Sequence, residues 1–175
     1  MILFIHGFNS SGRCQKCLLL QQYTRSVLLP NLDLLDVNET LKQLDQMMQK
    51  GVDAVVGASL GGFYAQYVAK KYAKDVVLIN PVTKPLELME AIDLEETDRS
   101  RLFKEISAMV DYNSINEFTK SVELLVGLDD DVIDPKTHAL FFGSHACRYY
   151  ADDHRLLKGF GDYLKQSDTL LAKYV

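Results

Sequence analysis

The stretch Val55-Val56-Gly57-Ala58-Ser59-Leu60-Gly61-Gly62 decides how the rest of the chain is read. A β-branched run ends in Gly-x-Ser-x-Gly, and a pattern of helical period follows at once with Phe63, Tyr64, Tyr67, Val68 and Tyr72. Strand, tight turn and helix form the setting in which such a serine stands on a nucleophile elbow. A serine at so sharp a turn sits in a strained backbone conformation, and its neighbours must leave room. Gly57 and Gly61 leave that room, and Gly62 lets the helix lie close to the sheet. Ser59 Oγ is then expected at the carboxyl end of a central strand and at a helix N-terminus, where backbone N–H groups bind a developing oxyanion.

Outward from this point the chain alternates. Short apolar runs at 2–5, 26–29, 53–56, 76–79, 122–126 and 145–150 read as buried strands. Helices are expected over 17–23, with Ser10 or Ser11 near the cap, and from Asp36 or Asn38 to about Lys50. Two more are expected over 135–142, with Asp134 as N-cap and Pro135 in the first turn, and over 160–174. This rhythm predicts an α/β fold over 1–175: one domain with a mainly parallel, six-stranded sheet and helices on both faces. Ligands in such sheets bind at the carboxyl ends of the strands. The rhythm breaks at about 83–118, a charged, helix-like stretch interleaved with apolar residues. It reads as a small cap-like helical insertion, with a long ordinary crossover as the alternative.

Composition closes several routes. The chain has 175 residues, 47% of them hydrophobic, and a formal net charge of −5. It has no basic cluster longer than Lys70-Lys71, which argues against nucleic acid as a partner. No apolar run is long enough to span a membrane. The first residues lack a basic n-region and read as a strand, not a signal peptide. Three cysteines do not suit a disulfide framework, and a cytoplasmic location is expected. Cys14-Gln15-Lys16-Cys17 has no second cysteine pair to complete a zinc site and reads as the start of a helix. No metal or cofactor is expected.

A serine hydroxyl needs a base, and the base needs a carboxylate to orient it. On doubly wound hydrolase sheets they follow in the order Ser, acid, His. Of four histidines, His6 precedes the serine and is expected to bond across its own loop. His138 falls inside a helix and His145 at the start of a strand. His154 alone has the right order and lies in a polar loop, Ala151-Asp152-Asp153-His154-Arg155, after the last strand. The loop 127–135 supplies the acid. Asp134 suits the cap, and spacing leaves Asp129, Asp130 and Asp131 open. The backbone N–H groups of Leu60 and Phe8 are the expected oxyanion donors.

Taken together, His6-Gly7-Phe8-Asn9-Ser10-Ser11, the elbow, Asn80-Pro81, the run 130–134, and His154 followed by Gly159-Phe160-Gly161-Asp162-Tyr163 resemble the YqiA/YcfP-like group of small bacterial α/β-hydrolases. The resemblance spans almost the whole chain. It implies a compact α/β-hydrolase fold lacking the first strands of the full fold, and esterase activity on small acyl esters or thioesters. It carries the acid onto Asp130, so that Ser59, His154 and Asp130 form the implied triad. Leu86, Met89, Leu102, Phe103 and Met109 of the 83–118 stretch are expected to roof the acyl group. The competing expectations are cleavage of amide or C–C bonds by the same triad, and a silent protein of this fold that binds a partner.

Overall fold

The computed structural model describes residues 1–90, 96–143 and 145–175, without the side chains of residues 89, 96–98, 115 and 139. Six strands form one all-parallel sheet: β1 (Ile2–Ile5), β2 (Val27–Leu28), β3 (Ala54–Ala58), β4 (Asp75–Ile79), β5 (Val122–Gly127) and β6 (Ala146–Tyr150). Their order is β2-β1-β3-β4-β5-β6, which puts β3 between β1 and β4 in the middle of the sheet. The register sets Gly57 opposite Ile5 on one side and Leu78 on the other. The loops after β1, β3, β4, β5 and β6 therefore leave the same edge of the sheet.

Alternation along the strands feeds two cores. Leu3, Ile5, Val55, Val76, Leu78, Leu124 and Val126 meet one helical layer. That layer contains α2 (Val37–Met48), α3 (Leu60–Tyr72) and α5 (Glu96–Ile115). Ile2, Phe4, Ala54, Val56, Val77, Ile79 and Leu125 meet the other. There lie α1 (Gln15–Tyr23), α7 (Leu157–Leu164) and a 3₁₀ turn at Leu170–Lys173. Strands covered on both faces need continuous apolar runs, which is why they stand out in the sequence.

Three elements differ most from expectation. Helix α1 starts two residues early, because Cys14 and not Ser10 or Ser11 is its cap. Strand β2 keeps only two residues at the sheet edge, before Pro30. The 160–174 helix is two pieces. Glu123, buried in β5, accepts hydrogen bonds from Tyr163 Oη and from the Leu170 backbone N–H, and the chain must leave the helix to deliver the second. The 83–118 stretch, expected as a cap-like insertion or a long crossover, joins β4 to β5. It holds α4 (Pro85–Glu90) and α5, and α5 lies in the helical layer with Leu102, Ile106 and Met109 in the core. Residues at this i, i+4, i+7 spacing line one helix face, and α5 packs on α2, α3 and α4. Among the described residues no helix is long and apolar enough to cross a membrane.

Candidate active site

Ser59 follows β3 directly with φ 53° and ψ −124°, a conformation that L-residues rarely adopt. Its neighbours over-determine it. The Ser59 N–H donates to Ile79 O at 2.9 Å, and its carbonyl accepts from Gly62 N at 2.9 Å and Val82 N at 3.0 Å. The turn closes only on glycine. A Cβ on Gly61 would stand 2.2 Å from His6 O, and one on Gly57 would stand 2.4 Å from Ala65 Cβ. Ser59 occupies the cap position of α3 but makes no side-chain capping bond. Its hydroxyl points elsewhere, to His154 Nε2 at 3.0 Å.

His154 lies in the turn after β6, its side chain 20% exposed. Its Nδ1 is 2.8 Å from Asp130 Oδ2 and 3.0 Å from Oδ1. The neutral ring that satisfies both ends carries its proton on Nδ1, which donates to the carboxylate, and leaves the Nε2 lone pair for the serine O–H. Asp130 follows β5, and its side chain is fully enclosed. Oδ1 also accepts the N–H groups of Val132 at 2.8 Å and Ile133 at 2.9 Å. Asp129 and Asp131 are exposed. Among the three aspartates that spacing leaves open, the structure brings Asp130 to the histidine.

Burial pushes the Asp130 carboxyl up, but the hydrogen bonds from His154 and from the Ile133 and Val132 N–H groups outweigh it. The group is held below the usual carboxylate range. A carboxyl with a folded value below its unfolded one adds stability that is complete above about pH 4 and is lost as pH falls through the folded value. Asp130→Asn is accordingly expected to lower stability at pH 7 and to cost distinctly less below pH 3. Urea unfolding of both proteins at the two pH values measures this; an equal loss at both would contradict it.

Asn80, which the sequence offers only as half of an Asn-Pro pair, ties the three loops together. It is fully buried, at φ 39°, directly after β4. Its Oδ1 accepts from Gly127 N at 2.8 Å, at the end of β5. Its Nδ2 donates to the carbonyls of His154 at 3.0 Å and Asp153 at 3.3 Å, in the loop after β6. The available signal is an asparagine at a strand's carboxyl end, a residue that tolerates a left-handed backbone and offers both a donor and an acceptor.

The remaining histidines lie apart from the serine. His6 Nε2 accepts from Leu32 N at 3.0 Å and its Nδ1 donates to Gly7 O at 2.8 Å, so it fixes its own loop. His138 is buried in α6 (Pro135–Phe142) with Nε2 3.2 Å from Pro81 O. His145 is exposed just before β6, edge-on to Phe118. The two expected oxyanion donors lie beside Ser59. Leu60 opens α3, where an N–H has no partner within the helix. Phe8 follows Gly7, at which a Cβ would stand 3.8 Å from Ser59 Oγ.

Two hollows meet at the serine. One of about 420 Å³ is lined by Val82, Thr83, Leu88, Val132, Ile133 and Thr137, with Lys84 and Glu87 at its edge. The other, of about 270 Å³, is lined by Phe8, Cys14, Lys16, His154, Arg155 and Leu157. Of the residues expected to roof the acyl group, Leu86, Leu102, Phe103 and Met109 do not line either. Leu102 and Met109 are core residues, Phe103 and Leu86 pack against that core, and the Met89 side chain lies outside the described residues. Leu88, Val132 and Ile133 line the larger hollow instead. Among the described residues no cluster of three or more His, Cys, Asp or Glu side chains surrounds a common point as metal ligands would.

A parallel sheet in this order, with a strained serine between its central strand and the next helix, is a compact α/β-hydrolase fold. Solved structures that share it include a putative hydrolase of the α/β superfamily from Xanthomonas campestris, with TM-score 0.66, 18% identity, and 94% of this chain and 97% of that one covered. Mouse α/β hydrolase domain-containing protein 10 matches with TM-score 0.68 and 17% identity over 99% and 90% of the two chains. A monoacylglycerol lipase from Paleococcus ferrophilus matches with TM-score 0.65 and 14% identity over 92% and 90%. The chain itself belongs to the uncharacterised protein family UPF0227, whose model matches residues 1–172. A UPF0227 protein of Pectobacterium carotovorum is 28% identical over 154 residues, 83% of each chain. The YcfP protein of Salmonella arizonae is 28% identical over 148 residues, 79% of this chain and 80% of its own.

Proposed function

We propose that the protein is a serine hydrolase that cleaves small acyl esters or thioesters through an acyl-enzyme. The observation that carries the reading is the unbroken relay from Ser59 Oγ to His154 Nε2, at 3.0 Å, and from His154 Nδ1 to Asp130 Oδ2, at 2.8 Å. Ser59 Oγ attacks the acyl carbonyl while His154 Nε2 takes its proton. The imidazolium is stabilised by a carboxylate already held in its charged form. The Leu60 and Phe8 N–H groups receive the oxyanion. His154 returns the proton to the leaving oxygen or sulfur, and water then repeats the sequence to release the acid.

The hollow of Val82, Leu88 and Ile133 suits the acyl chain, and the one with Lys16 and Arg155 suits a polar leaving group. Turnover of p-nitrophenyl acetate, butyrate and octanoate tests the reading. Hydrolysis lost in the Ser59→Ala variant supports it, and no turnover of any acyl ester by the folded protein would contradict it. Filling the acyl hollow with Leu88→Trp is expected to lower kcat/KM for octanoate by about tenfold or more, with acetate little changed. A uniform loss across chain lengths would place the acyl group elsewhere.

A further inference from the structure

The smaller hollow beside Ser59 holds a feature that hydrolysis leaves unused. Its wall includes Cys14, the first residue of Cys14-Gln15-Lys16-Cys17. Cys14 caps α1: its Sγ accepts from the Cys17 backbone N–H at 3.4 Å. A cap and the third residue of the first turn share one side of a helix, and the two sulfurs stand 3.0 Å apart. Their surroundings differ. Cys14 is partly exposed on the hollow, whereas Cys17 is fully buried beneath it, with Sγ 3.8 Å from Ser11 O.

This asymmetry is that of an attacking and a resolving thiol. The Cys17 hydrogen bond and the Lys16 ammonium favour a thiolate at Cys14 against its partial burial and hold the thiol down to about 6. The bond to Cys14 and burial push the Cys17 thiol up. The end of α1 adds the positive pole of its backbone dipole. Cys147, the third cysteine, lies on β6 against the opposite face of the sheet, and burial pushes its thiol up.

We propose that Cys14 and Cys17 form a reversible dithiol–disulfide pair in the wall of the catalytic pocket, oxidised by small disulfides of the glutathione class. The Cys14 thiolate attacks one sulfur of RS–SR. That S–S bond breaks, a Cys14–SR bond forms, and the released RS⁻ takes the Cys17 proton. The Cys17 thiolate then attacks the Cys14 sulfur and expels the second RS⁻, which is protonated by the proton that Cys14 had given to solvent. Two electrons pass from the pair to RS–SR, leaving a Cys14–Cys17 disulfide and two RSH. Between the steps the R group occupies the hollow beside Ser59.

The test equilibrates the full chain in mixtures of oxidised and reduced glutathione, traps free thiols with an alkylating agent, and reads peptide masses. Wild type is expected to gain one intramolecular link between the peptides of Cys14 and Cys17, lighter by two hydrogens and reversed by dithiothreitol. Cys147→Ser, which leaves the pair intact, and Ser59→Ala should both behave as wild type does. Cys17→Ser should stop with one glutathione on Cys14. Full alkylation of all three cysteines under oxidising mixtures, or glutathione on Cys147 alone, would overturn the proposal. One further arm rests on the serine-hydrolase reading: glutathione held on Cys14 of Cys17→Ser should lower fluorophosphonate labelling of Ser59 several-fold relative to the reduced variant. Equal labelling of the two would remove the pair from the pocket wall. No labelling of the reduced variant would count against the hydrolase reading, while the mass readout still judges the pair.

Discussion

Replacing Ser59 by alanine is expected to lower kcat for ester hydrolysis by about 10⁶-fold, the scale seen when a triad loses its nucleophile. The fold should survive the change. The Ser59 hydroxyl hydrogen-bonds to His154 and does not cap α3, while the backbone bonds to Ile79, Gly62 and Val82 hold the turn. Alanine meets the same φ of 53° and inherits the same strain. Unfolding stability should therefore change by less than about 0.5 kcal/mol, as for substitutions outside packed or capping positions. Turnover of a p-nitrophenyl ester and thermal unfolding, measured on the same preparations, check both halves. Turnover within tenfold of wild type would show that another group reacts.

Asp130→Asn is expected to cost about 10⁴-fold in kcat, with the fold retained. The geometry specifies how. Asp130 Oδ1 accepts the Val132 and Ile133 N–H groups, so an asparagine must keep its oxygen there and turn its amide N–H toward His154. The amide then donates to Nδ1, which becomes the acceptor. The ring proton moves to Nε2 and faces Ser59 Oγ, where a lone pair is needed. Circular dichroism together with kcat measures the effect. A loss below tenfold would mean that the carboxylate does not set the histidine's tautomer.

The parts of this site that lie on strongly patterned sequence are legible without a structure. The strands β1, β3, β4 and β5 show because they are covered on both faces and read as largely apolar runs. Ser59 shows because a glycine-flanked serine between strand and helix is an uncommon arrangement outside a nucleophile elbow. His154 follows from chain order. Asp130 is harder. Three adjacent aspartates share one loop, and what separates them is which one the turn after β5 buries, a property of the fold and not of spacing. Asn80 is nearly invisible, since its three hydrogen bonds join loops far apart in the chain. The lining of the hollow is not legible, because apolar positions such as Leu102 and Met109 report burial without saying where. Those residues lie in the core that α5 shares with α2 and α3, while Leu88 and Ile133 line the hollow at the serine. The break after α7 likewise depends on a distant buried acid, Glu123.

The central claim is that Ser59 is an activated nucleophile, and reaction with a fluorophosphonate reads that property without any choice of substrate. Wild-type protein should take up one phosphonyl group, located by peptide mass on Ser59, and His154→Ala should take it up at least about a hundredfold more slowly, as loss of a general base implies. Folded wild-type protein that stays unlabelled, or equal labelling rates for the two proteins, would contradict the account.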